Sequence, residues 1–322
     1  MQIEATSISK YRSGQRLGDD VILIIPGCVY AVFDGATDAR GTVIDGTPAG
    51  RLAALTVAQA TAEAMQDPAN RLLPADEIFE LQSKALRKRT ESTDLVIPPS
   101  TTLALALDCG SDWRVLILGD SGIRLNGVDV LQPTKLIDRV ATRARLTLYA
   151  YFRQHFATQT LDAIELATRR AIFLGLEETI SNGQITRQCA SEIVAQTIQF
   201  CGLAEHSSIV EAFLMGGIFT QHRFANTAGT IFGFDTMNGT APCLGQWIDR
   251  TRPKETVKSI EVFTDGFLTP PGQVDLAAWG AEFARMECQD FHMLGKFSAI
   301  KGGMSTEHHD DRSLILLKGL TG

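Results

Sequence analysis

The chain has 322 residues, which at roughly 150 residues per domain amounts to one large or two ordinary domains. Its 44% hydrophobic and 21% charged residues provide ample apolar material for a core and exclude fibrous, collagen-like and wholly disordered chains. With 30 basic against 37 acidic residues the formal charge is -7, so nothing draws the chain as a whole toward nucleic acid or an anionic membrane.

The opening MQIEATSISK lacks the basic-then-apolar order of a secretory signal, and the aliphatic run Val21 to Ile25 is too short to span a bilayer. A cytoplasmic location is expected. That run, the turn Pro26-Gly27 and the run Val29 to Phe33 predict an antiparallel hairpin ending at Asp34-Gly35. A Gly/Thr/Asp-rich loop from Ala36 to Ala49 leads to a helix beginning at Gly50 and ending before Pro68, and Pro74 to Arg89 predicts a second. Strands are expected at Thr101 to Leu107, Arg114 to Leu118 and Ile123 to Leu125, joined by short polar turns.

From Arg139 to about Cys201 the composition shifts to Leu, Ala, Glu, Arg and Gln, with apolar residues every three or four positions, which predicts a helical insertion at about 139–201. Ile209 to Ile218, the TAGTIFGFDTMNG stretch and Ile260 to Thr264 read as strands, Asp275 to Met286 as a helix, and Ser313 to Leu317 as the last strand. Strands on both sides of the helical segment favour one interrupted domain over two separate ones. The six cysteines form no C-x-x-C pair, so reduced, structural thiols are expected rather than a zinc knuckle or redox motif.

Three apolar runs end at an aspartate flanked by glycine: VYAVFDG at Asp34, RVLILGDSG at Asp120 and IEVFTDG at Asp265. A fourth, RSLILL, is preceded by Asp310-Asp311. One Asp-Gly is an ordinary turn former. Four carboxylates brought to one rim of a sheet repel unless cations or protons offset them. Oxygen-only ligation selects hard cations such as Mg²⁺ or Mn²⁺, and two such ions about 4 Å apart can share a carboxylate and a water.

In chain order, VYAVFDG with its following glycine-led helix, STTLALAL, VLILGDSGIRL, IEVFTDG and DDRSLILL resemble the motifs of the PPM family, the metal-dependent type 2C Ser/Thr protein phosphatases. The match spans nearly the whole chain, and its specificity lies in the series. The resemblance implies an α+β fold: a four-layer α-β-β-α sandwich of two antiparallel sheets flanked by helices, with a dinuclear Mn²⁺ or Mg²⁺ site at one end. It makes Asp34 the aspartate that bridges both metals and Gly35 the glycine whose backbone carbonyl ligates one. Asp265 and Asp310 match carboxylates on the other metal. Asp20, with Asp19 as the neighbouring candidate, matches the early aspartate that holds metal-bound waters, and Asp120 falls where family members place a weaker third metal. The implied reaction is hydrolysis of phosphoserine or phosphothreonine in proteins, in which a metal-activated water attacks phosphorus in line without a phosphoenzyme.

The chain departs from the family pattern in four places. The family's Asp-Gly-x-Gly-Gly is here Asp34-Gly35-Ala36-Thr37-Asp38, and Ala36 stands where some members carry a histidine proposed as general acid. Thr269 replaces an aspartate often found four residues after the Asp265 position. No arginine stands at the expected spacing before the early aspartate; Arg16 or Arg12 is the candidate phosphate ligand, and a solvated surface arginine is the alternative. Two other readings therefore stay open: a phosphatase-like regulatory binding module, and a metal-dependent hydrolase of small phosphate esters.

His308-His309 are either nitrogen ligands or part of a polar turn. LRKRT at Leu86 to Thr90 is either a docking cluster or a solvated helix end. No nucleophile elbow occurs, since Gly119-Asp120-Ser121-Gly122 has its serine in the wrong place, and no Walker loop is present. The helical segment is assigned to substrate recognition, a regulatory protein partner or a structural cover, and Gly216-Gly217 and the turn at Asn226 are candidate borders of the cleft. The expected partners are a phosphoprotein substrate and a regulatory protein, with neither nucleic acid nor membrane.

Overall fold

The computed structural model describes residues 1–38 and 40–320. The chain runs through β1 (Gln2–Ile8), β2 (Val21–Ile25), β3 (Val29–Gly35), the two-residue β4 (Val43–Ile44) and β5 (Thr47–Pro48), α1 (Ala49–Ala64) and α2 (Ala75–Thr90). It continues with β6 (Thr101–Asp108), β7 (Asp112–Leu118), β8 (Gly122–Leu125), β9 (Asp129–Leu131), α3 (Leu136–His155), α4 (Leu161–Leu174), α5 (Leu176–Ser181), α6 (Arg187–Cys201) and α7 (Ser207–Gly216). It closes with β10 (Ile248–Pro253), β11 (Ser259–Phe263), α8 (Leu276–Gln289) and β12 (Arg312–Lys318).

Two compact units result. One comprises Met1–Thr134, Phe224–Arg285 and the residues from Asp310 onward, the other Lys135–Arg223 and Met286–His309. In the first, two five-stranded antiparallel sheets have the orders β1-β12-β11-β8-β9 and β10-β7-β6-β3-β2. Strand alternation sorts their side chains into layers. Val29, Ala31 and Phe33 of β3 and Leu103, Leu105 and Leu107 of β6 pack with Ala53, Val57, Ile78 and Phe79 of α1 and α2. The intervening Tyr30, Val32, Ala104 and Ala106 meet Ile123, Ile260, Val262, Ile315 and Leu317 of the other sheet. The outer face of that second sheet carries Phe263, whose ring centroid lies 5.0 Å from that of Trp279 on α8. The result is the helix-sheet-sheet-helix layering expected from sequence.

The second unit is helical, and a charged pair ties it together. Arg145 on α3 and Glu165 on α4 are both fully buried and joined by a hydrogen-bonded ion pair. Arg145 also donates to the carbonyls of His292 (2.7 Å), Met293 (2.9 Å) and Ala299 (3.1 Å), while Glu165 accepts the Gly302 N–H at 2.7 Å. The irregular segment that follows α8 is thereby pinned to α3 and α4.

Two expected strands are not strands. Ile209 to Ile218 lies largely in α7, whose buried Val210, Phe213 and Leu214 recur at helical, not alternating, spacing. Gly217 ends it at φ 70°, and an added Cβ there would lie 2.3 Å from the Gly175 nitrogen. Gly216-Gly217 is thus a packing and turn element. The TAGTIFGFDTMNG stretch forms only isolated bridges, Ala225 to Phe234 and Thr101 to Met237. Side chains replace a strand ladder here. Asn226 pairs with the Thr236 backbone in both directions at 2.9 Å, and Asp235 accepts N–H bonds from Cys243, Leu244 and Gln246. Conversely, β1, β9 and β10 arise where no strand was predicted. All six cysteines are free thiols, and among the described residues no helix is long and apolar enough to cross a membrane.

Candidate metal centre

Strand order brings the aspartates together. Asp34 occupies the end of β3 and lies on the same strand face as Tyr30 and Val32, the face turned toward the opposite sheet. Asp265 follows β11, Asp310 immediately precedes the adjacent β12, and Asp120 lies in the turn after β7. All four keep partial solvent access, whereas Asp19, Asp20 and Asp311 are buried.

The four carboxylates feel one another. Burial raises the Asp34 carboxyl well above the ordinary carboxylate range, and the charges of Asp20, Asp310 and Asp120 push it further. Asp265 is raised for the same reasons, burial first and then Asp34, Asp120 and Asp310. The Asp34 and Asp265 side chains lie close enough to influence each other's ionisation directly. Asp20 is likewise raised by burial and by Asp311, against the opposing bond from Thr264.

The buried trio forms the floor beneath. Thr264 Oγ1 donates to Asp20 Oδ2 at 2.8 Å and accepts the Ser313 N–H at 2.8 Å, which links the early aspartate to β12. Asp20 Oδ1 has no hydrogen-bond partner although it is buried. Asp311 accepts the N–H groups of Lys10 at 2.6 Å and Asp19 at 3.0 Å. Two residues here were not singled out in the sequence. Arg51 on α1 donates to the carbonyls of Gly18 (2.6 Å) and Asp20 (3.1 Å) and holds the acidic turn. Lys10 buries its ammonium among Asp19, Asp311 and Thr37. Arg51 lies in the glycine-led helix after the Asp34 motif, and nothing in the sequence around Lys10 marked it.

Gly35 is required by close backbone approach. An added Cβ would fall 2.4 Å from the Gly50 carbonyl oxygen and 2.8 Å from that of Asp19, and Gly50 meets the Ala36 carbonyl in the same way. The start of α1 therefore packs directly on the Asp34-Gly35 turn. Asp38, in place of a family glycine, accepts N–H bonds from Arg40 (2.9 Å) and Thr42 (3.1 Å) and shapes the loop. Ala36 is exposed and Thr269 half-buried. Arg16 is exposed, its guanidinium 4.1 Å from the Tyr11 ring centroid, and Arg12 is half-buried. His308 pairs with Glu287 at 2.7 Å and His309 is buried. At the LRKRT cluster, Arg87 pairs with Glu80 and Arg89 with Asp45, as at a solvated helix end.

No protein-family model matches the chain, and no curated protein matches it either. Among solved structures it matches a Mycobacterium tuberculosis serine/threonine phosphatase, PstP/Ppp, at 14% identity and TM-score 0.46, over 98% of this chain and 97% of the other. The Staphylococcus aureus serine/threonine phosphatase Stp1 matches at 11% identity and TM-score 0.46, over 98% and 94%. A PstP catalytic domain in complex with two manganese ions matches at 15% identity and TM-score 0.43, over 98% and 96%. The two antiparallel sheets and their helical layers are the architecture that the order of the sequence motifs led us to expect.

The donor chemistry suits a hard cation, because every side-chain donor is a carboxylate oxygen and Asp20 Oδ1 is an unmatched buried acceptor. Among the described residues no group of three or more His, Cys, Asp or Glu is set to hold a metal ion.

Proposed function

We propose that the chain is a metal-dependent phosphatase acting on phosphoserine or phosphothreonine in proteins, built as one phosphatase-type domain with a helical insertion. One observation carries this reading: Asp34, Asp120, Asp265 and Asp310 converge as partly exposed carboxylates whose charges oppose one another's ionisation, an arrangement that a bound cation would relieve. Asp34, the Gly35 carbonyl, Asp265 and Asp310 would hold two Mn²⁺ or Mg²⁺ ions, with Asp120 available to a third. Such ions, when bound, lower the pKa of water and neutralise charge on phosphoryl oxygens.

The chain's own groups do the rest. Asp20, fixed by Thr264, offers its free Oδ1 to orient a water, and Arg51 keeps its turn in place. Arg16, exposed and stacked on Tyr11, is the candidate arginine for a phosphate. Ala36 supplies no proton, so the leaving alkoxide would take one from water or another group. The partners on this reading are a phosphoprotein and a regulatory protein at the helical segment, with no nucleic acid and no membrane, in the cytoplasm.

Asp34→Ala should abolish hydrolysis of a phosphothreonine peptide while the far-UV circular dichroism stays that of the wild type. Wild-type turnover in that variant would disprove the site. A second reading, a phosphatase-like binding module, is favoured by the departures at Ala36, Thr37 and Asp38 and by the lack of an arginine at the expected spacing. Calorimetry separates the two, since a pure binding module need not take up divalent ions.

A further inference from the structure

The candidate site leaves one buried charge without a role. Lys10 follows β1, is 6% exposed, and directs its ammonium into the acidic floor. An ammonium has three donors, and three oxygens surround it: Thr37 Oγ1 at 3.0 Å, Asp19 Oδ2 at 3.3 Å and Asp311 Oδ2 at 3.4 Å. The backbone closes the arrangement, because the N–H groups of Lys10 and Asp19 both donate to the Asp311 carboxylate. Burying a lysine is unfavourable unless its charge is matched. Here burial weakens the ammonium, but Asp311, Asp310 and Asp19 outweigh it and keep it charged.

We propose that Lys10 is a resident cation of the acidic site: its ammonium fills the Asp19–Asp311 side, where a divalent ion would otherwise sit, and so sets how many ions the site accepts. The inference builds on the reading of Asp34, Asp265 and Asp310 as metal ligands. Without the ammonium, two carboxylates and a hydroxyl would face one point, an all-oxygen set suited to Mn²⁺ or Mg²⁺. The sequence carries a trace of this in one of its departures from the family pattern. Thr37 stands where the resemblance has glycine, and its hydroxyl is the third acceptor for Lys10. A glycine there would leave one N–H of a buried cation unmatched.

The test is isothermal titration of the full chain with MnCl₂ alone, comparing wild type with Lys10→Met, which keeps the stem and loses the charge, and with Lys10→Arg, which keeps the charge. Lys10→Met should take up one more Mn²⁺ per chain than wild type, and Lys10→Arg the same number. An unchanged number in folded Lys10→Met overturns the proposal, because a merely structural lysine would alter stability and not stoichiometry. Lys10→Gln, which keeps a donor to the same oxygens, is read in the same way. Should both neutral variants unfold, millimolar Mn²⁺ should restore their folding by replacing the lost charge, and failure to do so also overturns the proposal. A wild-type chain that takes up no Mn²⁺ would sink the phosphatase reading instead, while the gain or lack of an ion in Lys10→Met would still decide the role of Lys10.

Discussion

Asp34 and Asp265 are both shifted toward the neutral form because burial and the neighbouring carboxylates oppose their ionisation. The consequence for stability has a definite sign. A carboxyl whose pKa is higher in the folded chain contributes stability below its unfolded value, about 3.9 for aspartate, and loses it as pH rises through the folded value. Asp20, Asp34 and Asp265 are all shifted upward. The metal-free protein should therefore melt at lower temperature as pH rises above about 4, and Mn²⁺ should reverse the loss. Asp265→Asn should flatten the same profile and raise the metal-free melting temperature at pH 8, while removing activity; a lower melting temperature there would count against repulsion. At the neighbouring glycine, Gly35→Ala would set a methyl 2.4 Å from the Gly50 carbonyl oxygen. A loss of about 1–3 kcal/mol in chemical denaturation is expected, as for other overpacked sites.

Arg145 and Glu165 show how a charged pair can organise a whole element. Both are fully buried, and between them they satisfy four backbone groups of the segment from His292 to Gly302. Removing one partner strands the other: Arg145→Met or Glu165→Leu alone should cost about 3–5 kcal/mol in urea melts, and the double variant less than the sum. The same contrast between side-chain and backbone bonding explains which elements were legible in the sequence. β3, β6, β7 and β12 were predicted because short apolar runs and turn-forming residues agree. The stretch from Ala225 to Met237 misled because Asn226 and Asp235 take the backbone bonds that a ladder would have used. β10 was missed because its sequence, IDRTRP, is that of a charged edge strand, and its link to β7 includes a two-bond Arg114–Asp249 pair. α7 was misread because Ile209-Val210 and the glycines after it look like a strand in a short window, although its apolar residues keep helical spacing.

For the molecule as a whole, the layered sandwich was legible from the order of its motifs, and the four rim aspartates could be named before any coordinates. The floor of the site could not. Lys10, Arg51 and Thr264 reach it through pairings that the fold alone creates, across sequence separations no motif spans. The helical unit was foreseen as an insertion at about 139–201, yet its helices run from Leu136 to Gly216 and its unit includes Met286–His309, because Arg145 recruits a segment far along the chain. The central claim is that the converging carboxylates serve metal-dependent phosphate ester hydrolysis. Its most direct test is turnover of a phosphothreonine peptide and of an aryl phosphate with Mn²⁺, Mg²⁺ or EDTA, in wild type and Asp265→Asn. The account predicts turnover that needs the metal, vanishes in EDTA and falls by at least about a thousandfold in Asp265→Asn, a loss of roughly 4 kcal/mol in transition-state stabilisation. No turnover under any metal, in folded wild-type protein, would contradict it.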